Sequence, residues 1–162
     1  MTQPPHLGGP HGATSEPLTD TDLLSARDPA STIWYESLFS HSLDGMLLVD
    51  AATLAIVAAN PEACRLLGYR EPDLVGQNVY MLVDVTDPRV AAAAEIRART
   101  GRFRGELTGR RADGTLFPSE MASTVFSAPD GRQLVAYFFE DISQRKQVER
   151  RACSLRLCTA QL

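Results

Sequence analysis

Residues 102–142 read RFRGELTGRRADGTLFPSEMASTVFSAPDGRQLVAYFFEDI. Three runs rich in β-branched and aromatic residues are separated by two short clusters, Ala112-Asp113-Gly114 and Ala128-Pro129-Asp130-Gly131. Each cluster ends in Asp-Gly, a hairpin signal, because glycine accepts the left-handed backbone that tight turns need. The first reads as a type I′ turn. In the second, Pro129 presets φ and Gly131 takes the left-handed position. Strands that follow one another through hairpins pair antiparallel.

Alternation then assigns faces. Arg102, Arg104, Glu106 and Arg110 fall on one side of the first strand, with Phe103 and Leu107 on the other. Along the second strand the core-facing set is Phe117, Ser119, Met121, Ser123 and Val125. Along the third it is Val135, Tyr137 and Phe139. The two inward serines stand out, since a buried hydroxyl without a partner costs about 1–3 kcal/mol. One reading is a small pocket lined by Leu107, Ser119, Met121, Ser123, Tyr137 and Phe139, with the serines facing a polar ligand or water. The competing reading is a packed core in which each serine bonds locally.

Upstream, GMLLVD (45–50) and LAIVAAN (54–60) read as a further hairpin. Asn60-Pro61 predicts a helix start, since Asn caps orphan N–H groups and Pro fits the first turn. Gly68 closes that helix, and EPDLVGQ adds a short helical turn. Asp87-Pro88 repeats the device and opens the longest helix of the body, PRVAAAAEIRART, closed by Gly101. Ser31 or Thr32 would cap a short helix carrying Trp34, Leu38 and Phe39. Two strands, several short helices and three strands make an α+β fold, an antiparallel sheet with its helices on one face.

Residues 1–31 hold five of the ten prolines and little apolar periodicity, which predicts a disordered tail. His6 and His11 within it read as solvated. The predicted domain is 32–142. The net charge of −4 gives no general attraction to nucleic acid or to anionic membranes. Arg102, Arg104, Arg110 and Arg111 read as a solvated outer face. No apolar run approaches the roughly 18 residues of a membrane span, and the first basic residue, Arg27, leaves no basic region for a secretory signal. Cys64, Cys153 and Cys158 form no disulfide framework, so a cytoplasmic location is expected. Neither metal-ligand spacing nor a nucleophile–base set appears, and a non-enzymatic protein is expected.

LFSHSLDGMLLVD (38–50), IVAANPEACRLLGYREPDLVGQ (56–77), GRRADGTLFPSEM (109–121) and APDGRQLVAYFFEDISQRK (128–146) together resemble the PAS domain family. The resemblance covers about residues 32–148. It implies a five-stranded antiparallel sheet with helices cupped over one face and a pocket between. It also implies a role in sensing ligands, light, redox state or partners, within histidine kinases, cyclic-dinucleotide enzymes or transcription regulators. Haem sensors of the family ligate iron from the long helix, which here, at 88–100, holds no His, Cys or Met. His41 lies upstream of the first strand, and Met81 and Met121 read as fillers of core gaps. Haem is therefore disfavoured. Light-sensing members form a flavin adduct with a cysteine after Gly-x-Asn; here Gly76-Gln77-Asn78 is followed by Val79, which excludes that adduct. A non-covalent flavin or another small ligand stays open. Cys64 reads as a buried structural thiol.

From Ser143 onward the chain turns polar and helix-forming. A helix over 143–162 would run about 30 Å. Val148, Leu155 and Leu162 recur every seven residues, one side of a coiled-coil seam, although Arg151 and Cys158 are poor seam residues. By resemblance, EDIS is the family's strand-to-helix junction, with Asp141, Ile142 and Ser143 as signal-output residues. The helix then reads as an output linker, its partners a second copy of the chain and a downstream signalling domain or protein. No effector domain is expected within this chain. The alternatives are a dimerisation module with a filled core, or the sensor fragment of a histidine kinase or cyclic-dinucleotide enzyme.

Overall fold

The computed structural model describes residues 29–159. The expected tail lies outside them, apart from its last three positions, which already belong to the first helix. That helix, α1 (Pro29–His41), starts before Ser31 and Thr32, so neither is its cap. Trp34 and Leu38 are exposed on it and Phe39 is half-buried.

The remaining elements are β1 (Gly45–Asp50), β2 (Ile56–Ala59), α2 (Pro61–Leu67), α3 (Glu71–Leu74), a 3-10 turn (Val79–Leu82), α4 (Pro88–Thr100), β3 (Arg102–Arg110), β4 (Leu116–Ser127), β5 (Gln133–Asp141) and α5 (Ser143–Thr159). The five strands form one antiparallel sheet in the order β2-β1-β5-β4-β3. The late strand β5 therefore sits at its centre, between β1 and β4.

Local chemistry explains the helix ends. Asn60 Oδ1 accepts from the Ala63 N–H, and Gly68 closes α2 with φ 75°. Asp87 accepts from the Arg89 N–H, and Gly101 closes α4 with φ 74°. Asn60 does more than cap. Its Oδ1 also accepts from Met46 N–H at 2.8 Å, and its Nδ2 donates to the carbonyls of Phe39 and Asp44 at 3.1 and 3.0 Å. It is fully buried, and one side chain joins the end of α1, the start of β1 and the start of α2.

The turn after β3 corrects the type I′ expectation. Such a turn needs positive φ at both central residues. Here Gly114 has φ 83°, while Leu54 is the one described non-glycine residue at positive φ. Gly114 N–H donates to the Arg111 carbonyl and Arg111 N–H to the Thr115 carbonyl, both at 2.9 Å. That is a three-residue loop, a type I turn followed by a left-handed glycine. Asp113 Oδ1 accepts from the Thr115 N–H at 2.9 Å, and this local bond holds the turn. The Ala128–Arg132 loop closes in the same way around Gly131.

The core fills the space between the sheet and α2–α4. The larger cluster centres on Leu47, Val49, Leu67, Leu74, Phe117 and Phe139; the smaller holds Val83, Val90, Ala93 and Leu107. Met121 packs against both. Leu134 and Ala136, on the opposite face of β5 from Val135, are buried too. Period-two reading missed them because β5, as the central strand, is flanked on both sides.

Candidate functional site

A cavity lies where the two core clusters meet. Its floor is the inner face of the sheet, and its roof is α4 with the 3-10 turn. Small side chains make the space: Ala93 and Ala94 face the sheet from α4. Gly109 borders it as well. A Cβ added there would lie 2.5 Å from Phe117 Cζ, so only glycine lets that ring sit flat against β3.

Five of the six pocket residues expected from sequence line this cavity: Leu107, Ser119, Met121, Tyr137 and Phe139. Ser123 does not. It is buried one pleat further along β4, and its Oγ accepts from Arg97 Nη1 at 3.4 Å. Sequence reasoning missed Tyr80, Phe103 and Arg97, which also line it. A signal for Arg97 existed, since Val90, Ala93, Ala94 and Arg97 follow the spacing of one helix face.

Ser119 is 1% exposed, and its hydroxyl reaches only the Glu120 carbonyl, at 3.4 Å. Arg97 lies over the Tyr137 ring with Cζ 5.1 Å from the centroid. Burial pushes the Tyr137 hydroxyl above its ordinary pKa, and the Arg97 charge opposes that rise. The phenol is therefore protonated at neutral pH and able to donate.

The cavity measures about 40 Å³, room for roughly three waters at 10–15 Å³ each. Sites for drug-sized ligands run to about 300–1,000 Å³. A covalent flavin adduct lacks its thiol here, since Val79 is buried in the core where an adduct cysteine would stand. A haem lacks its axial histidine, since His41 is exposed at the end of α1, bonded to the Ser37 carbonyl. Met81 packs half-buried against the larger cluster. Cys64 is half-buried rather than buried, and burial first, then the Glu71 charge, pushes its thiol pKa up. Among the described residues no group of three or more His, Cys, Asp or Glu is placed to hold a metal ion. No helix among them is long and apolar enough to cross a membrane.

The junction to α5 adjoins the cavity. Asp141 Oδ1 accepts from the Ser143 N–H at 2.8 Å and opens the helix. Its Oδ2 accepts from Arg111 Nη2, while Arg111 Nη1 donates to the Leu66 carbonyl at the end of α2. The same guanidinium lies 4.1 Å from the Phe117 ring centroid. Burial raises the Asp141 pKa, but the bonds from Ser143 and Arg111 outweigh it and hold the carboxyl below its ordinary value. Arg111, grouped from sequence with a solvated face, is thus a junction residue. Ile142 is 1% exposed, and its N–H donates to the Pro118 carbonyl at 3.0 Å.

One turn on, Arg145 binds Glu120 at 3.0 Å and Lys146 binds Glu106 at 2.7 Å. Glu106 and Glu120 are cross-strand partners, and Arg104 also reaches Glu120. The start of α5 therefore lies against the outer face of β3 and β4. Of the residues expected to mark a seam, Val148 is exposed, and the side chains of Leu155 and Leu162 lie outside the described residues.

Among solved structures, the chain is similar to a PAS domain from Colwellia psychrerythraea, with 19% identity and a TM-score of 0.62 over 70% of this chain and 98% of that one. It is also similar to a PAS domain of a two-component sensor histidine kinase, with 16% identity and a TM-score of 0.60 over 69% and 96%. A third likeness is the PAS domain of a LuxR-family transcriptional regulator from Burkholderia thailandensis in complex with ethanol, with 22% identity and a TM-score of 0.55 over 67% and 97%. No curated protein matches. At these identities the likeness shows the fold. The family model of the PAS domain, however, matches residues 43–144, from just before β1 to the first turn of α5. That span contains the whole sheet, the cavity and the junction, and the chain belongs to the PAS domain family.

Proposed function

We propose that this chain is a non-enzymatic sensory module that registers a small ligand in the cavity and passes its occupancy to α5 for a downstream signalling domain or protein. One observation carries the reading. Ser119, which lines the cavity, is the cross-strand partner of Asp141, which caps α5. Its neighbour Glu120 points to the other face and holds Arg145 of the same helix. A displacement of β4 at the cavity therefore acts on α5 at two places. Membership of a family whose neighbours here include a sensor-kinase domain and an ethanol complex supports this reading. A homodimer in the cytoplasm is proposed with it, favoured by exposed Val148 on α5 and exposed Trp34 and Leu38 on α1.

The small volume favours a second reading, a dimerisation or interaction module with a filled core and no ligand. Comparing the native and denatured mass of the purified chain separates the two. The sensory reading expects an extra small-molecule mass, and slower hydrogen exchange in the first turn of α5 when it is bound. No extra mass, with exchange in α5 indifferent to filling the cavity by Ser119→Leu, would leave only the second reading.

A further inference from the structure

The cavity carries a charge that its surroundings leave unanswered. This inference rests on reading the cavity as the sensing site, and names the chemistry it accepts. α4 turns Val90, Ala93 and Ala94 toward the sheet, and Arg97 occupies the next position of that face. Among the described residues three arginines are half-buried: Arg97, Arg110 and Arg111. Arg110 pairs with Asp84 and Arg111 with Asp141. Arg97 forms no ion pair among the described residues; its guanidinium meets the Tyr137 ring and hydroxyl and makes a long bond to Ser123, all of them neutral groups. A partly desolvated cation without a counter-ion is a costly arrangement, relieved when an anion binds.

A second polar group points the same way. The Ser119 hydroxyl, 1% exposed, lines the cavity and reaches only a carbonyl at 3.4 Å, beyond the roughly 2.5–3.0 Å of an ordinary O–H···O bond. Its donor capacity is largely unused. The rest of the wall is apolar, including Leu107, Met121 and Phe103. Arg97 also borders a surface depression with Ala98, Gly101 and Val135.

We propose that the cavity binds a short-chain monocarboxylate, of acetate to propionate size, with its carboxylate on the Arg97 guanidinium and its alkyl end against the apolar wall. One cation with no acidic residue beside it selects a single negative charge. The planar guanidinium fork matches a carboxylate. The volume of about 40 Å³ limits the ligand to a few heavy atoms, on the scale of roughly three waters.

The test titrates the full chain with sodium acetate, with acetamide as the neutral isostere, and with sodium chloride at the same ionic strength, by calorimetry and thermal shift. Acetate should bind and raise Tm, and acetamide and chloride should bind at least tenfold more weakly, the low end of what a charge-assisted contact contributes. Arg97→Met should lose acetate binding by about tenfold or more, and Arg97→Lys should fall between, because a point charge lacks the fork. Acetamide binding as tightly as acetate, in wild type and in Arg97→Met alike, would overturn the carboxylate assignment and leave the sensory reading standing. If wild type binds none of the three probes, the assignment is wrong; if Ser119→Leu also destabilises the fold, the cavity is a filled core and the sensory reading falls with it. Should Arg97→Met not fold, the ratio of acetate to acetamide affinity in wild type and Arg97→Lys decides.

Discussion

Replacing Asp141 by Ala and by Asn separates two jobs that one carboxylate performs. Oδ1 caps α5 through Ser143, and Oδ2 neutralises Arg111. A lost cap costs about 0.5–2 kcal/mol, typically about 1. The ion pair is partly shielded, its side chains 27% and 21% exposed. It therefore falls between an exposed pair at about 0.2–1 kcal/mol and a buried one at about 3–5 when a partner is removed. Because Arg111 keeps the Leu66 carbonyl and the Phe117 ring, a value of about 1 kcal/mol for its loss is reasonable. Asp141→Asn keeps an acceptor for Ser143 and loses the charge, about 1 kcal/mol; Asp141→Ala loses both, about 2 kcal/mol. For a domain of this size 1 kcal/mol moves Tm by roughly 4 °C, so Tm should fall by about 4 °C and 8 °C respectively. Thermal melts give these shifts, and hydrogen exchange locates them: amides in the first turn of α5 should exchange faster in Ala than in Asn. If the two variants melt together and exchange alike in α5, the carboxylate does not cap the helix, and the proposed route from sheet to exit helix is refuted.

Three further outcomes follow from the same geometry. Ser119→Leu should raise Tm by a few degrees, because its extra carbons enter a cavity of about 40 Å³; a loss of roughly 1–3 kcal/mol would mean overpacking instead. Asn60→Ala should cost about 2–4 kcal/mol in urea unfolding, since it removes a cap and orphans the Met46 N–H and two carbonyls; a loss under about 1 kcal/mol would show that water replaces those bonds. Acid should loosen the contact between α4 and the sheet. The Arg89 guanidinium first, with Thr108 and the Arg89 N–H, holds Asp87 well below its ordinary value, and a depressed carboxyl stabilises the fold above its unfolded pKa, losing that contribution as pH falls below about 4. Asp87→Asn should flatten that part of a stability–pH curve, and an unchanged curve would remove Asp87 from the account.

What could be read from the sequence was local. Asn60-Pro61 and Asp87-Pro88 announce helix starts because cap and first-turn chemistry involve residues two or three apart. Gly68, Gly101 and Gly131 announce ends and turns for the same reason. Strand faces were legible wherever one face meets solvent, as in β3, and failed at Leu134 and Ala136, which are buried on the opposite face of the central strand β5 where alternation predicts exposure. The turn at Asp113 escaped because Asp-Gly suits more than one turn, and the choice depends on the aspartate's own φ. The 3-10 turn at 79–82 has no periodicity to reveal it. Within the site, the inward serines were visible as a departure from apolar alternation. Arg111 was not, because its partners at Leu66 and Asp141 lie 45 and 30 residues away.

The placement of these residues says why β4 is the strand to watch. Its two faces both carry connected chemistry, Ser119 and Met121 toward the cavity and Glu120 toward α5. The same holds for β3 with Leu107 and Glu106, but β4 alone of these two pairs with β5 and so with the α5 cap. A pleated strand cannot move one face without the other, since consecutive side chains hang from the same peptide planes. The hairpin before it returns through Arg111, which holds both the end of α2 and the α5 cap. A ligand that orders Arg97 over Tyr137 would therefore act on β5 and, through the Ser119–Asp141 and Ser123–Tyr137 pairs, on β4. In a helix that meets the sheet through one cap, one buried isoleucine and a set of exposed ion pairs, modest displacements are enough to change how firmly its first turn is held. Helical stability in proteins comes mostly from tertiary packing rather than propensity, so under the proposed function the order of α5 follows how the sheet holds its first turn.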